Sequence, residues 1–311
     1  MKDINEFIKL FKVNIPYKPE WPYYIQTLSL SKEYKDLSDL VISFGKFEEW
    51  VEERGYTSVK KYKMECLDKI KEYVERSDAY HTFLDFDYSD HKFRTLDNIK
   101  EWAQKQGESD NPDYLLSFDL RSANYNIIKQ FDGCGDLGES WDEMCSTMFI
   151  HPVLISSKSF RQVVFGNLNP KRSGKIQLFR MNEVADRLER EGHKNRIVSI
   201  SNDEICLSLP SHLCDELGYE KAIWELFGIK CFLPLPTKMT VFAIKNLGSG
   251  MFKKVVLFQE GLDKENRYTT LSGIPGNKFY KFFKTEVLNK KIEARDLLFV
   301  NDGDLATWVI K

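Results

Sequence analysis

Hydrophobic and polar positions change their period several times along the chain. In residues 58–77, Met64, Leu67, Ile70 and Val74 recur at three- and four-residue spacing, which predicts an amphipathic helix; residues 45–54 read likewise. YHTFLDFDY (80–88) reads as a strand with Asp85 and Asp87 on one face. YLLSF (114–118) is a short, continuous apolar run, the composition of a buried strand, and it leads into Asp119. Residues 119–130 then turn away and start a helix. Residues 132–140 are loop, and 141–168 are mostly helical, ended by NLNPKRSG. Residues 182–191 form a short amphipathic helix closed by Gly192. In RIVSISNDEICLSLP, Val198 and Ile200 alternate before the polar break SNDE, and Ile205, Leu207 and Leu209 alternate after it. This predicts a β-hairpin whose bend carries Asp203 and Glu204. Residues 212–229 are helical with a Gly interruption. Residues 238–311 mix strands with a basic helical segment near 275–291 and close on a strand–turn–strand, LLFVNDGDLATWVIK.

The polar stretch KQGESDNPD (105–113) sets a first boundary. The expected organisation is an N-terminal α/β accessory region over 1–110, a sheet-bearing region over 111–240 with a helical insertion at about 141–192, and a smaller region over 241–311. With 311 residues and 42% hydrophobic content the chain can bury a substantial core. No apolar run approaches the roughly 20 residues of a membrane helix. The start, MKDINEFIKLF, carries acidic residues and no apolar leader segment, so no membrane partner is expected. The six cysteines (Cys66, Cys134, Cys145, Cys206, Cys214, Cys231) form no CxxC pair, and the five histidines are dispersed. That pattern reads as reduced thiols in a cytoplasmic-type compartment, without a zinc site.

The net charge of −2 argues against nonspecific wrapping of nucleic acid, but the distribution says more than the sum. From Pro152 to Asn182 there are six Lys or Arg and no Asp or Glu; from Met251 to Arg295 there are ten basic and five acidic residues. KFEEWVEERG and DGCGDLGESWDEM are acidic. A solvated face is the plain reading of either basic stretch. The lack of any acid in the first makes an anionic partner equally tenable.

An acid at the end of a buried strand (Asp119), a basic helical segment (158–172) and an acid at a hairpin bend (Asp203) follow one another. Two carboxylates on adjacent strands can hold two divalent cations about 3.5–4 Å apart, which activate a 3′-hydroxyl and stabilise leaving pyrophosphate. Neighbouring Lys and Arg donate to a triphosphate. Magnesium needs few protein ligands, because substrate phosphates complete its shell. Taken singly, an Asp after a strand is often a helix cap, a hairpin Asp is usually only a turn residue, and Asp85/Asp87 more often mark an exposed edge than a metal site.

SFDLRSANYNII resembles the first polymerase motif of family B DNA polymerases, commonly Asp-x-x-Ser-Leu-Tyr-Pro-Ser-Ile-Ile, with Asp119, Ser122, Ile127 and Ile128 in register. KSFRQVVFG (158–166) is similar to the second, Lys-x-x-x-Asn-Ser-x-Tyr-Gly: Lys158 and Gly166 match, while Gln162 and Phe165 replace Asn and Tyr. SISNDEI (199–205) is similar to the third, Tyr-x-Asp-Thr-Asp-Ser, with Asp203 as the second Asp, Ser201 in place of the first and Glu204 in place of Ser. FKKVVLFQEG (252–261) and TLSGIPGNKFYKFFKTEV (270–287) resemble the thumb region of protein-primed viral members, with Lys254 as the Lys of a Lys-x-Tyr strand and Val256 where Tyr would be.

The resemblance, over about 115–311, implies an α+β fold: a polymerase palm with an antiparallel sheet and catalytic β-hairpin, a helical fingers-like insertion and a small thumb. It implies template-directed nucleotidyl transfer, most readily DNA synthesis. Asp119 and Asp203, with Glu204 as a further ligand, would bind Mg²⁺ or Mn²⁺. Lys158, Arg161, Ser122, Asn124 and Tyr125 would meet the nucleoside triphosphate. Lys171, Arg172, Lys254, Lys278 and Lys281 would meet template and primer. Asn124 stands where the family has the Tyr that excludes a 2′-hydroxyl, and Tyr125 serves only if the helix starts one residue differently. No proofreading domain is visible in the first 110 residues. The short chain implies a second replication or transcription subunit, in a virus-infected host cell, a virion or a plasmid-bearing cell. An RNA polymerase or primase on the same palm, and an inactive polymerase-like nucleic-acid-binding or assembly subunit, are the alternatives.

Overall fold

The structure, a computed structural model, describes residues 1–94, 96, 114–227, 235–261 and 267–308. The expected boundary at 105–113 and Cys231 lie outside them. Five helices come first: α1 (Ile4–Phe11), α2 (Trp21–Leu28), α3 (Leu37–Glu53), α4 (Val59–Glu75) and α5 (Asp78–Asp85). Strand β1 (Tyr114–Leu120) leads into α6 (Ala123–Lys129). Then follow α7 (Trp141–Thr147), α8 (Pro152–Ile155), α9 (Lys158–Gly166) and the long α10 (Pro170–Arg190). The hairpin β2 (Ile197–Ile200) and β3 (Glu204–Leu209) precedes α11 (Ser211–Leu217) and α12 (Tyr219–Phe227). Strands β4 (Thr237–Gly248), β5 (Met251–Gln259) and β6 (Tyr268–Ser272), helix α13 (Phe279–Phe282) and the hairpin β7 (Leu298–Asn301) and β8 (Asp304–Thr307) complete the order.

The fold is mixed α+β and divides into two compact units. The first comprises Met1–His81, Cys134–Leu168 and Ile274–Lys311; the second comprises Thr82–Gly133 and Asn169–Gly273. These are not consecutive segments. The helical stretch at 141–192 is shared between them, as is 241–311.

In the first unit the core is aromatic. Phe7, Phe44 and Phe47 are fully buried, and Phe7 meets Phe44 edge-on at 5.4 Å between ring centroids. Along α4, Leu67, Ile70 and Val74 are buried as their spacing requires, whereas Met64 is exposed. The expected strand at 80–88 is not formed: α5 runs through Asp85, and Ala79, Tyr80 and Phe83 are its buried positions. Alternation of aromatics had the look of a strand, but Tyr80 and Phe83 keep helical spacing. Asp85 closes the helix and Asp87 lies beyond it, accepting from the Ser89 amide at 2.8 Å, so the two acids do not share a strand face.

The second unit is built on a six-stranded antiparallel sheet in the order β2-β3-β1-β4-β5-β6. Its central strand, β1, buries Leu116, Phe118 and Leu120 from one face, beside Ile205, Leu207, Leu209 and Val241. Each buried large side chain in this layer contributes about 1.5–3 kcal/mol. Helix α10 packs along β2 and β3 and against α6. It is one helix of 21 residues, not a short one over 182–191. NPKRSG, which reads as a break, is its start: Asn169 caps the Arg172 amide and Pro170 fills the first helical position, where its missing N–H costs nothing.

Among the described residues, Cys66, Cys134, Cys145, Cys206 and Cys214 are free thiols, and no helix is long and apolar enough to cross a membrane.

Candidate functional site

The other face of β1 carries Leu115, Ser117 and Asp119, because side chains alternate along a strand. Register then fixes their neighbours. Asp119 lies directly opposite Glu204 of β3 on one side and Lys238 of β4 on the other. Ser117 lies opposite Cys206 and Thr240, and its hydroxyl donates to a Glu204 carboxylate oxygen. Deeper in, Leu115, Cys206 and Phe242 form a small buried cluster packed against by Val198 and Ile244. Burial pushes the Cys206 thiol well up, helped by the Glu204 charge and opposed by that of Lys254. Lys254, on β5 opposite Ile244, sets its ammonium 3.7 Å from the centre of the Phe242 ring.

The hairpin brings Asp203 to the same end of the sheet. Ser201 and Glu204 close the bend through a Ser201 amide bond to the Glu204 carbonyl at 2.8 Å. The Ser201 hydroxyl also accepts from the Glu204 amide at 3.2 Å. The Asp203 carbonyl accepts from the Leu120 amide at 2.8 Å, extending the β1–β3 ladder by one residue past Asp119 and Glu204. Asp203 itself is exposed. Three acids, Asp119, Asp203 and Glu204, therefore occupy neighbouring backbone positions. Ser201 serves as a turn closure.

After Asp119 the chain reverses sharply. Ser122 is left-handed at φ 46°, ψ 42°, a conformation that costs a non-glycine residue roughly 1–2 kcal/mol, and its carbonyl starts α6 by accepting from the Tyr125 and Asn126 amides. Arg121 ties the turn to the neighbouring strand by donating from its amide to the Pro236 carbonyl and from Nε to the Thr237 carbonyl, both at 2.9 Å. Asn124 is held by α10: its side-chain oxygen accepts from the Gln177 amide nitrogen at 2.6 Å and the Ser173 hydroxyl at 3.2 Å. Tyr125 is 2% exposed and belongs to the core, out of a nucleotide's reach. Its burial follows from a helix that starts at Ala123.

The remaining expected residues belong to both units. Lys158 and Arg161 sit on α9 in the first unit, as do Lys278 and Lys281 at and near α13. Arg161 is partly buried, which pushes its pKa down. Arg172 is engaged inside the second unit, donating to the carbonyls of Phe83 and Phe86 and lying over the Tyr88 ring at 5.3 Å. Lys171 and Lys175 remain exposed on the first turns of α10. The hairpin tip meets α10 at Gly174, where an added Cβ would come within 3.2 Å of the Asn202 side-chain nitrogen, Nδ2. Within the second unit the helix beside the hairpin tip is α10. Ser173, Gly174 and Gln177 were missed in the sequence; the Asn-Pro start of α10 was the signal for them.

Among the described residues no three or more His, Cys, Asp or Glu side chains come together as a metal-holding group. Asp119, Asp203 and Glu204 are neighbours along the backbone ladder, but their side chains do not converge as such a group. Lys238 beside Asp119 works against a high local negative charge. No protein-family model, no curated protein and no solved structure matches the chain.

Proposed function

We propose that the second unit is a polymerase-like palm and that the chain transfers nucleotides from nucleoside triphosphates to a 3′-hydroxyl under the direction of a template. The observation that carries this reading is the direct opposition of Asp119 and Glu204 across β1 and β3, with Asp203 one residue further along. Like charges directly opposed in a sheet repel, and a divalent cation bound there would offset that repulsion. A divalent cation bound there would activate the attacking hydroxyl and stabilise the leaving pyrophosphate. The chain's own residues prepare the site. Ser117 orients Glu204, Lys238 limits the charge on Asp119, and Ser201 fixes the bend that carries Asp203. Lys171 and Lys175 offer exposed ammoniums to phosphates beside the hairpin tip.

The test is primer extension with Mg²⁺ or Mn²⁺, comparing the four deoxyribonucleotides with the four ribonucleotides. Extension that disappears in Asp119→Asn and Asp203→Asn supports the reading; extension unchanged in both rejects it. Asn124 addresses sugar choice. Asn124→Tyr is expected to depress ribonucleotide use selectively, and equal effects on both sugars reject that role. A second reading, a non-catalytic nucleic-acid-binding or assembly subunit, is favoured by Lys238, which can balance Asp119 without a metal. Strand binding without synthesis under every condition selects it.

A further inference from the structure

A cavity of about 660 Å³ opens in the second unit, lined by α11, α12 and one end of β5. Its chemistry is specific. The Tyr219 and Phe258 rings stack with centroids 6.3 Å apart and planes at 29°. The Arg267 guanidinium lies 5.9 Å from the Tyr219 ring centre. Trp224 also lines the cavity and is 39% exposed. The Gln259 side-chain amide is set on the wall by the Tyr268 hydroxyl, which donates to its oxygen at 3.0 Å. Asp215 and Glu220 on the lining offset Lys221 and Arg267, so the cavity has no excess positive charge to draw a phosphate. What it offers is flat aromatic surface, a guanidinium plane and an amide with donor and acceptor edges. A planar, neutral heterocycle with polar edges matches all three. The volume lies within the usual range for small-ligand sites.

We propose that this cavity binds a nucleobase, stacked among Trp224, Tyr219 and Arg267 and edge-read by Gln259. The inference deepens the nucleic-acid reading above and rests on it for biological sense, but base binding is measurable without synthesis. The ligand is either a free nucleoside or an unstacked base of a single strand, and the assay separates the two. Titrate the full chain with adenosine and thymidine by calorimetry, and with a fluorescent single-stranded 20-mer by anisotropy. Repeat both with Trp224→Ala, Arg267→Ala and, as a control in the other unit, the exposed Phe149→Ala. Thermal melts verify that the variants fold.

Loss of about tenfold in affinity in the first two variants, with Phe149→Ala unchanged, is expected. If nucleosides show it, the source is a free base; if only the 20-mer does, the source is a strand. No binding by either probe, or affinities equal to wild type in both cavity variants, overturns the proposal. Primer extension by the wild-type chain, run beside these titrations, keeps the two readings apart. Base binding by a wild-type chain that extends no primer under any condition keeps the cavity and rejects the polymerase. Synthesis with unaltered binding in the cavity variants does the reverse.

Discussion

Two sets of acids, one in each unit, are met differently. In the first unit, Glu6, Glu48 and Asp296 are each matched by donors. Glu6 meets the ammoniums of Lys9 at 3.1 Å and of Lys63. Glu48 accepts from the backbone amides of Lys2 at 2.9 Å and Asp3 at 2.6 Å. Asp296 accepts from the Tyr23 hydroxyl and the Glu293 amide, both at 2.7 Å. In the second, Asp119 and Glu204 face one another across a ladder, with one serine hydroxyl on Glu204 and one lysine opposite Asp119. An acid surrounded by donors explains itself through structure. Two acids set opposite one another repel unless a cation, Lys238 or a bound metal, offsets them. The opposed pair, rather than any resemblance, is what marks this end of the sheet as the candidate site.

The sharpest way to break this contrast is to neutralise one acid of each kind. Asp119→Asn should reduce primer extension by on the order of a thousandfold, while urea unfolding stays within about 1 kcal/mol of wild type because a like-charge contact has been relieved. Lys63→Met should do the opposite. Leaving Glu6 buried beside only the more exposed Lys9 should cost about 3 kcal/mol in urea unfolding, with extension per folded molecule unchanged. A stability loss in Asp119→Asn larger than in Lys63→Met would erase the distinction.

Acid titration sharpens it further. Burial alone would raise the Glu6 pKa, but the Lys63 and Lys9 ammoniums together outweigh it and hold the carboxyl below the ordinary value of 4.5. A carboxyl lowered in the folded state stabilises fully above its unfolded pKa and loses that contribution as pH falls through its folded value. Stability should therefore decline with a slope of up to about 1.4 kcal/mol per pH unit from Glu6 below roughly pH 4.5. Glu6→Gln should flatten the curve in that window, measured by urea midpoints at successive pH values. The smallest effect belongs to Ser117→Ala, which removes one hydrogen bond to Glu204 and should cost about 1 kcal/mol.

Much of the second unit was legible in the sequence. The hairpin at 197–209 and the buried strand at 114–118 show their period locally, and the alternation is confined to one paired face. The acids on them were legible for the same reason. What escaped was set by contacts distant in sequence. Glu204 looked like a secondary ligand until register put it, rather than Asp203, directly across from Asp119. Gln177 has no local signature, since its role is to hold Asn124 from another helix. Residues 80–88 were misread because a helix exposing one side of an aromatic run mimics alternation over two turns. The start of α10 was misread because Asn-Pro followed by a glycine favours a loop as readily as a cap.

Strand β1 is central in its sheet, yet both of its partners lie far downstream, β3 at 204–209 and β4 at 237–248. During vectorial synthesis on a ribosome it therefore emerges with two bare edges. It must wait, while the whole of 134–168 is made for the other unit, before either edge is covered. An apolar strand held open that long invites pairing with other nascent chains. Production of this protein should accordingly respond to chaperone supply and translation speed more than its finished, well-packed sheet would suggest.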